Sequence, residues 1–162
     1  MAVDMYLTID GVKGETQDKV YKDKGGIDVL SWSWGASNNG TTHMGMGSGE
    51  GKVSFQDLSV VKYVDAASTR LMQACASGEH FTKANLVVRK AGKTALEYIK
   101  IDMKDVIVTS VSTGGSGGED RLTESVTLNF GAFHQQYTPQ KEDGSGDAVK
   151  DFKYDIAANT EE

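Results

Sequence analysis

Residues 112–130 read STGGSGGEDRLTESVTLNF. Four glycines around Ser116 suggest a phosphate-binding loop. Such a loop opens a helix and usually carries a lysine behind its glycines. Here no lysine follows, and Glu119 and Asp120 stand where the phosphate charge would have to go. Val126, Leu128 and Phe130 then recur at every second residue, which is the period of a strand. The glycines therefore join two strands, where their tolerance of positive φ suits a flexible connection.

The same period dominates elsewhere. Val3, Met5, Leu7 and Ile9 alternate with polar residues, and Asp10-Gly11 marks a tight turn after them. Leu30, Trp32 and Trp34 fall on one face of a strand and Ser31 and Ser33 on the other. Ile27 and Val29 lie in the opposite phase, which predicts a bulge between the two sets. Further strands are predicted at "KVSFQDLSV", "ANLVVRKAG", "LEYIKIDM" and "DVIVTSVS", and Phe133 and Tyr137 imply a second bulge at Gly131 or Ala132. A last strand runs through Phe152, Tyr154 and Ile156, followed by a loose tail, "ANTEE".

One segment has helical spacing. Leu71, Met72, Ala74 and Cys75 predict a helix over about 65–77, with Asp65 or Ser68 at its start and Gly78 at its end. The glycine-rich stretch 37–51 is long for a connection inside a compact domain. Many strands and one helix, with no internal repeat or domain boundary, read as a single domain over 1–162. The fold class is mainly β, a barrel or sandwich.

Composition narrows function. The 162 residues carry a formal net charge of -6, which argues against nucleic acid as the ligand. No apolar run is long enough to span a membrane, so no membrane insertion is expected. "MAVDMYLTID" has no basic region of a signal peptide, so the chain reads as cytoplasmic, and export would need a route that reads no cleaved signal. The single cysteine, Cys75, sits on the apolar helix face and reads as a structural thiol. His43, His80 and His134 show no metal-ligand spacing. Asp143, Ser145 and Asp147 begin like a calcium loop, but Ala148 replaces its glycine and Tyr154 its final glutamate. Gly45, Gly47 and Gly49 precede a strand rather than a helix, unlike a dinucleotide fingerprint. No catalytic, cofactor or metal constellation emerges. The chain resembles an assembly part more than an enzyme.

Specific motifs carry a family resemblance. "WSWGAS" (32–37), "HMGMGSGEGKVSFQDLSVVKYVD" (43–65), "LMQACASGEHF" (71–81), "RKAG" (89–92), "EYI" (97–99) and the opening stretch are similar to the haemolysin-coregulated (Hcp) family, the tube proteins of type VI secretion systems. The resemblance covers nearly the whole chain, except 20–26 and a variable C-terminal segment, 142–162. It implies a small β-barrel of two packed antiparallel sheets with one α-helix on its side. Six copies would close into a ring, rings would stack into a tube, and a contractile sheath on a baseplate would drive the tube out behind a spike protein. Small effector proteins would ride in the lumen. The tail tube of a phage-like contractile particle is the competing reading, and an isolated ligand-binding barrel the more distant one.

On this resemblance Ser31, Ser33 and Ser116 are candidates for the channel wall or its rim. His43, Met44, Met46 and Ser48 are candidates for contacts between stacked rings. Glu119, Asp120 and Arg121 are candidates for contacts between neighbouring subunits.

Overall fold

A computed structural model of the protein describes residues 3–40, 52–92 and 95–162. Its strands are β1 (Val3–Ile9), β2 (Ile27–Ser33), β3 (Ala36–Asn38), β4 (Val53–Phe55), β5 (Leu58–Tyr63), β6 (His80–Lys90), β7 (Leu96–Thr113), β8 (Thr123–Tyr137), β9 (Lys150–Asp155) and β10 (Thr160–Glu161). A single α-helix among the described residues, α1 (Ser68–Ser77), lies between β5 and β6. Strands β8, β5, β2, β1, β6 and β7 pair in that order, and β7 pairs again with β8 to close a six-stranded barrel. β9 and β10 extend the sheet from β8, while β3 and β4 form a separate two-stranded arm.

Two long strands make two sheets from one barrel. β7 pairs with β8 along its length but with β6 only as far as Ile107. β8 pairs with β5 over Thr123 to Leu128 and with β9 over Ala132 to Tyr137. The first sheet is therefore β2, β5, the start of β8 and the end of β7. The second is β1, β6, the start of β7, the end of β8, β9 and β10. Their corner lies at Asp105, which has a φ of 55°.

This corner corrects two expectations. The segments "LEYIKIDM" and "DVIVTSVS" are one 18-residue strand, because a single left-handed residue replaces the turn predicted between them. The bulge predicted at Gly131 or Ala132 does not form. The β7–β8 register continues from Met103–Phe133 through Lys104–Ala132 to Val108–Leu128, and the twist at the corner buries both Ala132 and Phe133. A bulge sits instead at Thr109, between Val108–Leu128 and Ser110–Thr127.

The bulge predicted in β2 is present between Val29 and Ser31. It displaces Leu30, which is exposed and does not share the tryptophans' packing. The tail is not loose: β10 folds back on β9, turning through Asn159 at a φ of 55°.

The core lies between the sheets and under α1. It contains Leu7, Ile27, Leu58, Val60, Leu86, Ile101, Met103, Val126 and Leu128. The helix starts at Ser68, after a turn in which Asp65 Oδ1 accepts the Ala67 N–H. Leu71 and Ala74 are fully buried and Cys75 is half-buried against the core, but Met72 is exposed. Gly78, with a φ of 68°, ends the helix in the left-handed conformation that favours glycine.

Candidate functional site

The outward face of the first sheet is built from hydroxyls. Cross-strand register places Ser33, Ser59, Thr127 and Ser110 in one row, and Ser31, Val61, Ser125 and Ser112 in the next. Between them, on the opposite face, Trp32, Val60, Val126 and Val111 make a row that packs in or against the core. Ser31 and Ser33 thus point away from the core and are exposed. No lysine or arginine falls in either hydroxyl row. Asp57, at the turn between β4 and β5, accepts hydrogen bonds from Thr109 (2.7 Å) and Asn129 (2.9 Å), clipping the β7 bulge to the wall.

This sheet has two unpartnered edges among the described residues. β2 meets β1 only at Ile27 and Asp28. Beyond Ile107, β7 has β8 on one side and no strand on the other. Such edges offer free N–H and C=O groups to another strand.

A buried charge cluster lies beneath the hydroxyl wall. Lys62 continues the inward phase of Leu58 and Val60 and is fully buried. Its ammonium donates to Glu124 (2.5 Å), Asp65 (2.8 Å) and the Tyr63 carbonyl (2.8 Å). Ser68, at the start of α1, donates to Glu124 (2.6 Å). The cluster ties β5, β8 and α1 together.

The second sheet's outward face is different. The β1–β2 connection crosses it as a strap. Tyr21 of the strap stacks on Tyr6 with ring centroids 4.5 Å apart. Asp18 accepts the N–H groups of Val20 and Tyr21 and the guanidinium of Arg89, at 2.5 Å from Nη2. Arg89 holds the Asp18 carboxyl well below the usual range. Burial, and then the neighbouring carboxylates Asp18 and Glu97, push the Tyr6 and Tyr21 hydroxyls up. Gly14 has no room for a side chain, since a Cβ there would lie 2.4 Å from the Gly26 carbonyl oxygen.

The glycine connection 114–122 is a hairpin between β7 and β8, and Ser116, Glu119, Asp120 and Arg121 are all exposed on it. The Ser116 carbonyl accepts the Glu119 N–H (3.1 Å), and the Arg121 guanidinium lies 3.7 Å from the centre of the Tyr63 ring. The β3–β4 arm rises from an aromatic base where Trp34, Phe55, Phe133 and Tyr154 meet. His43, Met44, Met46 and Ser48 lie outside the described residues. Cys75 packs against the core, His80 faces Asp105 and His134 faces Asp151. Pattern reading missed Lys62 and the free edges. Lys62 was visible as a lysine in phase with Leu58 and Val60, whereas the edges appear only once the pairing is known.

The architecture defines a β-barrel subunit with open sheet edges, suited to assembly. The family described as the type VI secretion system effector Hcp matches residues 6–137. Protein hcp1 of Pseudomonas aeruginosa is 56% identical over 148 residues, covering 91% of this chain and 90% of that relative. Hcp1 from Salmonella typhimurium superposes with a TM-score of 0.80 at 41% identity, covering 99% of each chain. A solved type six secretion system protein superposes with a TM-score of 0.91 at 28% identity, covering 99% of this chain and all of the other. The chain belongs to the Hcp family of type VI secretion tube proteins.

Proposed function

We propose that this chain closes into six-membered rings whose inner wall is the hydroxyl face of the first sheet, and that these rings stack into the tube. The two free edges support this reading. β2, β5, β8 and β7 run alternately antiparallel. Because the sheet has an even number of strands, β2 of the next subunit runs opposite to β7. Edge-to-edge addition therefore extends one antiparallel sheet around the ring. Each join uses the β7 edge of one copy and the β2 edge of the next, a head-to-tail contact that closes on itself.

Ser31 and Ser33 then face the lumen and Ser116 its rim, where Glu119, Asp120 and Arg121 reach the neighbouring subunit. The arm projects along the tube, with His43, Met44, Met46 and Ser48 contacting the next ring. The tube meets a spike protein at its tip, a sheath and baseplate around it, and effector proteins within it. The subunit performs no catalysis. It is made in the cytoplasm and leaves through the secretion machine without a cleaved signal peptide.

Native mass measurement with negative-stain imaging tests the core of this reading. A six-fold mass with open rings is expected. A monomer that persists at high concentration would overturn it and favour a ligand-binding barrel.

A further inference from the structure

Lys83 on β6 and Lys104 on β7 are direct cross-strand partners. Like charges in that position repel. Both side chains are exposed, and neither forms an ion pair with a described residue. The nearest carboxylate in sequence, Asp105, lies 3.1 Å from the His80 ring. Glu162 borders a neighbouring hollow with Lys104 but stays beyond ion-pairing distance. The two lysines, His80, Phe81, Thr82 and Asp105 line an open hollow of about 490 Å³, so two lysines stand there against one carboxylate, which is engaged by His80.

An acidic hairpin stands at the other end of the same strands. The connection between β8 and β9 carries Glu142, Asp143 and Asp147 against a single lysine, Lys141. It is folded in advance. Gln140 bridges Gly146, the Lys141 N–H donates to the Ser145 carbonyl (2.8 Å), and the Gly144 N–H to the Lys141 carbonyl (2.9 Å). The Ser145 hydroxyl and N–H hold the Asp143 carboxyl below its ordinary range. Gly146 lies beside Leu96, eight residues before Lys104 and so about 26 Å away along β7.

We propose that the acidic β8–β9 hairpin of one ring seats in the Lys83–Lys104 hollow of the next. The proposal rests on the ring-stacking reading above and adds the contact that fixes its polarity. Hairpin and hollow lie at opposite ends of one stretch of β6 and β7. Translating a second copy along those strands brings one onto the other, and the contact repeats. An inverted ring would set acidic hairpin against acidic hairpin. Complementary charges of this kind select orientation and register more than they add affinity.

Zero-length carbodiimide coupling of wild-type stacks, followed by peptide mapping, tests the contact directly. The expected product joins Asp143, Asp147 or Glu142 to Lys83 or Lys104, a link that the separation along β7 forbids within one chain. Salt of about 1 M, where the screening length is about 3 Å, should remove the selection of orientation, so that inverted pairs of rings appear among the stacks. Charge reversal gives a second arm. Lys83→Glu with Lys104→Glu should give single rings, as should Asp143→Lys with Asp147→Lys. Mixing the two variants should restore stacks, because each variant's altered surface then meets its complement. Stacks without the link, lysine links to a sheath protein in its place, or a mixture that stays dispersed overturns the proposal while leaving the ring reading intact. Rings that never stack overturn it too. A wild-type protein without a six-fold mass overturns the ring reading and this proposal together.

Discussion

The two outward walls of this barrel share β7 and β8, yet they are built differently. The first carries rows of serine and threonine on an open face with free edges. The second is covered by a strap and stapled by Tyr6, Tyr21, Asp18 and Arg89. The stapled wall spends its polar groups on holding the subunit together. On the hydroxyl wall the hydrogen bonds are short-range clips among exposed groups, and the stabilising charges lie beneath it, at Lys62 and Glu124. The hydroxyl wall, with little structural work, is free to meet something else, and on the stapled wall only the part beyond the strap, at Lys83 and Lys104, is similarly exposed.

The largest expected effect comes from below the hydroxyl wall. Lys62→Ala leaves Glu124 and Asp65 buried without their cation, and breaking such a pair costs about 3–5 kcal/mol. The urea midpoint should fall accordingly. Replacing the cluster together, as Lys62→Met with Glu124→Leu and Asp65→Asn, should cost far less, since well-packed uncharged residues can replace a buried ion pair and the amide oxygen at position 65 can still accept the Ala67 N–H. Equal losses in both variants would show that the cluster stabilises through something other than charge balance.

On the stapled wall the effect should depend on pH. Arg89 depresses the carboxyl of Asp18 in the folded chain, so this contribution is complete above the unfolded value of about 4. It is lost as acid carries the pH below that value towards the folded one. Asp18→Asn should cost about 1.5–3 kcal/mol at neutral pH, the range for hydrogen bonds to charged groups. It should also flatten the fall of the melting temperature between neutral pH and the acid range. A variant with wild-type acid sensitivity would place that sensitivity elsewhere.

Alternation made much of this legible in the sequence. It placed Ser31 and Ser33 opposite Trp32 and located the bulge before them, because burial on one face forces a period of two. Gly78 marked the end of α1 for a local reason, its positive φ. What alternation could not show was pairing. One continuous β7 looks like two strands when Asp105 breaks the phase, and a tail of polar residues looks loose until β9 offers it an edge. The free edges of β2 and β7, and the opposition of Lys83 to Lys104, depend on register between residues far apart in the chain.

Asp105 sits at the corner where the two walls meet, with a φ of 55°. A non-glycine residue in the left-handed region is strained by about 1–2 kcal/mol. Asp105→Gly relieves that strain while adding freedom to the unfolded chain, so it should be at least as stable as wild type. Asp105→Ala keeps the strain and loses the carboxylate, and should be less stable by about 1 kcal/mol. Thermal midpoints of the two variants decide whether the backbone or the carboxylate matters. If both variants fall below wild type by the same amount, the contact with His80 is holding the corner.

The smallest effect on stability is expected at Ser33. It lies in a row of hydroxyls, exposed, with the core on the far side of its strand. Ser33→Ala should change stability by no more than about 0.5 kcal/mol. Its interest lies in bulk rather than in energy. If the wall lines the channel, Ser33→Gln sets a longer side chain into the bore from every subunit, and Ser116→Gln does the same at the rim. The native ring mass should be unchanged while the amount of effector recovered with the rings drops. Unchanged cargo beside intact rings would place this wall outside the lumen, and the hydroxyl rows would then need another partner.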